Sequence, residues 1–316
     1  MARSTLPHVD LREAGATHVS RRSSTLSLLA SLRPEQWTKN LIVFAALIFA
    51  QRLLDLEAVG LSAAAFAIFC VLSGVVYLVN DLLDQDADRQ HPIKRHRPIA
   101  SGALAPSTAA TWAAVLGAAA IAAATWLAPL FGAVAAAYLA LFAAYSRYLK
   151  HVVILDVLSI ALGFVLRAAA GGFVIQEPVS EWLLVCTVLL ALVLGLGKRR
   201  HELTLLSAGA AGHRRILDEY NPYLLDQMIG VVTASTLMAY IIYVTSPDTV
   251  ERFGTHLLVL TVPFPIYGIL RYLYLVHRRD GGGNPSELLI ADRPLLICVA
   301  LWGLVTTTVI YRPFGL

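Results

Sequence analysis

Apolar runs of about 20 residues recur along nearly the whole chain, and a run of that length is what an α-helix needs to cross a bilayer. Nine are present, at about 40–58, 61–83, 107–127, 129–146, 152–175, 181–197, 226–246, 255–277 and 294–312. Lipid offers no water to unpaired backbone groups, so each span is expected to be helical. The composition agrees: 57% of the 316 residues are hydrophobic and 15% charged, where a soluble domain carries about 25% charged residues. The expected fold is all-α, a polytopic membrane protein with nine transmembrane helices around a cavity opening to the cytoplasm. The first span is the weakest, because Gln51 and Arg52 interrupt its end. Residues 33–316 read as one membrane domain. Residues 1–32 read as a flexible cytoplasmic tail, with no apolar core of signal-peptide length and no small-residue cleavage site.

With nine spans, the tail and the long loops share one side, and that side holds 20 of the 25 Lys and Arg residues. The positive-inside rule places it in the cytoplasm. The expected location is the bacterial inner membrane, multi-pass, with a cytoplasmic N-terminus. Cys70, Cys186 and Cys298 all lie within spans, too far apart for a metal motif. A P-loop, a dinucleotide fingerprint and a Ser-His-Asp elbow are all missing from the sequence, and nucleic acid is not an expected partner.

The second span ends in NDLLDQDADRQHPIKRHRPIASG, residues 80–102. On a helix at 100° per residue, Asn80, Asp81, Asp84 and Asp88 fall within one arc, and Asp86 points elsewhere. Converging carboxylates repel unless a cation sits among them. A few hard oxygen ligands, with room for water and phosphate, suit Mg²⁺. The basic run that follows, Lys94, Arg95 and Arg97, is suited to the remaining phosphate charge. A plain wet loop capping a transmembrane helix is the competing reading.

Other polar residues border the same membrane face. Arg33, Gln36, Lys39 and Asn40 share a helical face before span 1. Tyr145 and Lys150 lie in the 4–5 loop. Asp156 and Arg167 stand inside span 5, eleven residues apart, as functional groups or as a structural polar pair. Gly163 and the Ala168–Gly172 run would let another helix approach closely. Lys198, Arg199, Arg200, His201 and Glu202 open the 6–7 loop. Asp292 and Arg293 open the last span, after a flexible turn at Gly281–Gly283.

Nine spans with NDLLDQDAD at the end of the second resemble the UbiA-type intramembrane prenyltransferase superfamily. The resemblance covers residues 33 to 312 and implies that Asn80, Asp81, Asp84 and Asp88 bind Mg²⁺ and a diphosphate. Most of that superfamily carries a second aspartate motif in the 6–7 loop, and this chain has GKRRHE there. The departure is similar to the decaprenyl-phosphate phosphoribosyltransferase branch, as are RPEQWTKN, YSRYLKHVVILDV and GFVLRAAAGG. That branch implies transfer of a 5-phosphoribosyl group from 5-phosphoribosyl 1-diphosphate to a polyprenyl (decaprenyl) phosphate, releasing diphosphate, for arabinan and cell-wall precursor synthesis.

The resemblance implies Asp84, Asp88 and Asp81 as catalytic and, with Asn80, as metal-holding. Lys39, Asn80, Lys94, Arg95, Arg97, Tyr145, Lys150, Arg167, Lys198, Arg199 and Glu202 are implied as substrate contacts. Glu202 is equally suited to a ribose hydroxyl or to pairing with Arg199. Two other functions compete: prenyl transfer from a diphosphate to an aromatic acceptor, and lipid or solute transport through the same polar region.

Overall fold

The computed structural model describes residues 24–207, 215–278 and 285–311. Most of the expected tail, residues 213–214 of the basic 6–7 loop and the Gly281–Gly283 turn lie outside the described residues. The chain opens with α1 (Ser24–Ser31), a 3₁₀ helix (Pro34–Phe44) and α2 (Ala45–Phe49). It continues with α3 (Leu56–Leu83), α4 (Gln85–Gln90), α5 (Pro106–Leu127), α6 (Pro129–Arg147), α7 (Leu155–Val174) and α8 (Glu181–Ser207). The last part holds α9 (Pro222–Thr245), α10 (Pro247–Phe253), α11 (Pro263–Arg278), α12 (Pro285–Ala291) and α13 (Arg293–Tyr311).

Sequence sets many of these boundaries. Proline occupies the first turn of α5, α6, α9 and α10, where its missing N–H is no loss. The Asp55 side chain caps α3 by accepting from the backbone N–H groups of Glu57 and Ala58, at 2.9 and 3.2 Å. Asn221 caps α9 in the same way.

Among the described residues, eight segments are long and apolar enough to cross a membrane: α3, α5, α6, α7, α8, α9, Leu257–Arg278 and α13. The expected first span, 40–58, is not one of them. It is built from the 3₁₀ helix and the five-residue α2, and it ends where Gln51 takes a positive φ of 59°. Arg33, before the 3₁₀ helix, pairs with Asp81 at one end of α3, and Arg52, after α2, pairs with Asp55 and Glu177 at the other, so the segment runs the length of α3 without forming one long α-helix. The segment packs between α3 and α7, closely enough that a Cβ on Gly171 would stand 2.0 Å from the Val43 carbonyl oxygen. Glycine in α7 is what permits that approach. Gly163 makes similar room, for the Phe142 ring of α6.

The end of the expected tail is also ordered. α1 buries Ser27 and Ser31, and Leu28 and Leu32 pack on a cluster of Val75, Leu78, Ile99 and Leu104. Leu32 sits over Gly74, where a side chain would clash at 2.6 Å. The largest core cluster joins the 3₁₀ helix, α3, α6 and α7 around Phe69, Phe131 and Tyr138. A cavity of about 290 Å³ lies between Arg52, Glu57, Leu61 and Gln176. That is the opposite end of α3 from the aspartates, not the end where an opening was expected.

Candidate active site

α3 stops at Leu83, and Asp84, with φ −96° and ψ 6°, links it to α4. The turn register survives the break: the Asp84 N–H donates to the Asn80 carbonyl at 2.9 Å and the Asp88 N–H to the Asp84 carbonyl at 2.8 Å. The four polar residues therefore stay on one side of the chain, but they divide into two pairs. The Asn80 side-chain amide donates to Asp84 at 3.1 Å, and Lys150 Nζ reaches the other oxygen of Asp84 at 2.6 Å. Arg97 Nη1 bridges Asp81 and Asp88, at 3.1 and 2.6 Å, and Arg33 Nη2 adds a 2.6 Å bond to Asp81. Asp81 and Asp88 are buried, whereas Asp84, Lys150 and Arg97 are partly exposed. Asp86 points to solvent and pairs with Arg89.

Four of the expected phosphate-binding cations divide into two groups. Arg97 and Lys150 reach the aspartates. Arg95 does not: it is exposed and donates to His96. Lys94 starts a short 3₁₀ turn whose backbone N–H donates to the His91 ring. Arg33, singled out in the sequence only as part of a helical face, proves to be a direct partner of Asp81. It also stacks over Tyr77 at 4.6 Å.

Deeper in the bundle, Arg167 is buried among neutral groups. Its Nε donates to Asn40 Oδ1 at 2.7 Å and its Nη2 to the Tyr138 hydroxyl at 2.6 Å, with Ser73 at 3.5 Å. Tyr138 and Phe164 face the guanidinium from 4.8 and 5.1 Å. The sequence marked Arg167 and Asn40. It did not mark Ser73 and Tyr138, although a hydroxyl inside an apolar span is the signal that could have found them.

Lys39, next to Asn40, lies outside the eight spans. Burial first, and then the charges of Lys198, Arg167 and Arg33, lower its pKa to about 8, against a weaker opposing effect of Glu287. That set describes a region of net positive potential.

Asp156 and Arg167 are not partners. Asp156 is fully buried and accepts from Arg199 Nε at 2.6 Å, while Arg199 Nη1 donates to Glu202 at 2.6 Å. Tyr220 donates to the other oxygen of Asp156 at 2.9 Å. Burial pushes the Tyr220 hydroxyl up to about 12, so it remains a donor at physiological pH. Arg199, expected to hold phosphate, is thus enclosed between two carboxylates with 2% of its side chain exposed. Glu202 pairs with Arg199, as one of its two alternatives had it, and keeps 25% of its side chain exposed. Tyr145 is buried beside Phe142. Asp292 pairs with Arg271 and caps α13 through the Leu295 N–H.

The UbiA prenyltransferase family matches residues 40–290. The decaprenyl-phosphate phosphoribosyltransferase of Mycobacterium tuberculosis is 34% identical over 281 residues, covering 87% of this chain and 91% of that protein. The enzyme of the same name from Corynebacterium glutamicum is 32% identical, covering 94% and 90%. A UbiA homolog from Archaeoglobus fulgidus bound to GPP and Mg²⁺ is similar in fold, with a TM-score of 0.67 at 20% identity, covering 91% of this chain and 99% of that one. A family match over most of the chain, full-length relatives above 30% identity and a shared helical fold agree, and the chain belongs to the UbiA prenyltransferase family.

Proposed function

We propose that the chain transfers a 5-phosphoribosyl group from 5-phosphoribosyl 1-diphosphate to the phosphate of a polyprenyl lipid, releasing diphosphate on the cytoplasmic side of the bacterial inner membrane. The observation that carries this reading is the end of α3, where Asp81, Asp84 and Asp88 are held by Arg33, Arg97 and Lys150. Carboxylates and phosphate-binding cations stand together there at a partly open surface, so an anion and a divalent cation can be exchanged for existing ion pairs. The names of the relatives support the phosphoribosyl donor. The GKRRHE stretch in place of a second acidic motif supports it as well.

Among the described residues, no three acidic, His or Cys side chains are grouped as a metal site. The donor set still fits Mg²⁺ in kind, since Asn80, Asp81, Asp84 and Asp88 offer hard oxygens. Asp84 and Asp88, with Asp81 and Asn80, would hold the ion. When bound, Mg²⁺ supplies charge neutralisation on the leaving diphosphate.

The protein's own residues do the rest. Arg33, Arg97 and Lys150 are placed to take phosphate oxygens when they leave the carboxylates. Arg suits bidentate contacts and Lys acts as a point charge. Lys39 and Lys198, near the buried Arg167, suit a second phosphate, either the 5-phosphate or that of the lipid. The bond formed joins C1 of the ribose to a lipid phosphate oxygen, and the bond broken joins C1 to the diphosphate. The lipid phosphate is already ionised, so no general base is needed. The polyprenyl tail lies against the apolar spans.

The test is diphosphate release by the purified protein in detergent with Mg²⁺, 5-phosphoribosyl 1-diphosphate and a polyprenyl phosphate. Release that requires both substrates, with a phosphoribosylated lipid in the mass spectrum, is the expected result. Turnover of a prenyl diphosphate with an aromatic acid instead would replace this reading with prenyl transfer. Solute or lipid exchange in vesicles without diphosphate release would replace it with transport.

A further inference from the structure

Ile154, which precedes α7, has φ 70° and ψ −45°. This is close to the positive-φ γ-turn, a rare and strained conformation, and for a β-branched residue it is a genuine outlier. The Ile154 side chain is half exposed and does not account for it. The backbone around it does. The Ile154 N–H donates to the Tyr220 hydroxyl oxygen at 2.8 Å, and that hydroxyl donates to Asp156, whose other oxygen is held by Arg199. The Ile154 carbonyl accepts from Val157 and Leu158, the first turn of α7. Tyr220 itself is buried in a cluster with Val157, Leu196, Ile216 and Leu217. The chain is therefore clamped on the helix side of Ile154.

Four residues upstream is Lys150, in the 3₁₀ turn Leu149–His151, with its Nζ 2.6 Å from Asp84. Only Val152 and Val153 separate that turn from the strained residue. Relaxing Ile154 to a negative φ would redirect the chain entering α7 and draw the ammonium away from Asp84.

We propose that Tyr220 is a positioning residue for Lys150: its hydroxyl locks the strained joint at Ile154 and so holds the Lys150 ammonium against Asp84. Only the kinetic consequence rests on the function proposed above, so the first readouts need no substrate. In the full chain in detergent, Tyr220→Phe is expected to raise hydrogen exchange across 149–154, and the rate of Lys150 acylation by an amine reagent, each about tenfold, the factor for one step of 1.4 kcal/mol. Adding Ile154→Gly should return Lys150 labelling towards the wild-type rate, because glycine takes a positive φ without strain. With 5-phosphoribosyl 1-diphosphate, Tyr220→Phe should raise KM about tenfold with kcat changed less than about threefold, and Ile154→Gly should again rescue.

A merely structural tyrosine would lower the melting temperature without a labelling change that glycine reverses. Unchanged Lys150 labelling in folded Tyr220→Phe, or no rescue by Ile154→Gly, overturns the proposal. If Tyr220→Phe does not fold, the joint is broken from the other side. Ile154→Pro then serves as the second variant, since proline fixes a negative φ and removes the N–H that Tyr220 accepts: Lys150 labelling raised about tenfold supports the proposal, and unchanged labelling overturns it. If the wild-type protein does not turn over the phosphoribosyl donor, the functional reading fails, and the labelling results still decide this one.

Discussion

Two sets of ion pairs lie near the same face of the molecule, and they differ in whether a cation can be traded away. At the end of α3 the cations keep contact with solvent: Arg97 is 24% exposed, and the Lys150–Asp84 pair is 12% and 31% exposed. Between α7 and α8 the pair is sealed, with Arg199 at 2% and Asp156 at 0%. A pair whose cation still meets solvent can be opened at less cost than a sealed one. A sealed pair cannot lose one member without stranding the other charge. Basic residues that look alike in sequence thus divide into cations that still meet solvent and cations sealed inside the fold.

The comparison breaks first at its open side. Asp84→Ala should leave no measurable turnover while the protein stays folded and monodisperse, since Asp84 keeps contact with solvent. Normal activity in a folded variant would remove the aspartate end of α3 from the chemistry. On the sealed side, Arg199→Met should destabilise the protein by about 3–5 kcal/mol by leaving Asp156 buried and uncompensated. This is read as a lowered melting temperature in detergent, with Asp156→Leu in the same chain restoring most of it. A stable but inactive Arg199→Met would move Arg199 back among the substrate contacts.

Lys39 sharpens the contrast, because it is a cation with cationic neighbours. Burial, with Lys198, Arg167 and Arg33, brings its pKa to about 8 against Glu287, so it loses its proton as pH rises through that value. If its charged form holds a phosphate, substrate KM should be flat below pH 8 and rise towards tenfold per unit above it. Lys39→Arg should remove that rising limb. The smallest effect belongs to Asp86. It points to solvent, and Asp86→Asn should change stability by less than about 0.5 kcal/mol and leave KM as it was.

Long apolar runs made the helical membrane architecture readable from sequence, because lipid permits few alternatives. The first span differs from the others in form: Pro34–Phe44 is a 3₁₀ helix and α2 has five residues, so its apolar run does not make one long α-helix. The aspartates were found as a set, and their helical periodicity put Asp86 outside it correctly. Their division into Asn80–Asp84 and Asp81–Asp88 depends on where Arg97 and Lys150 arrive, and those residues are distant in sequence or beyond a turn. The Arg199–Asp156 pair was hidden for the same reason: the two residues are 43 apart in sequence. Tyr220 left no signal beyond a tyrosine at a wet boundary.

Gly171 carries a consequence for how sequence change can be tolerated. It stands against the Val43 backbone, three residues from Asn40, and Asn40 receives the buried Arg167 guanidinium. One added methyl group there would push the 3₁₀ helix off α7 and shift the whole set of groups around Arg167 together. A map of damaging substitutions in this chain should therefore show a second hot region among small, chemically inert residues, well inside the bundle and as intolerant as the charged edge.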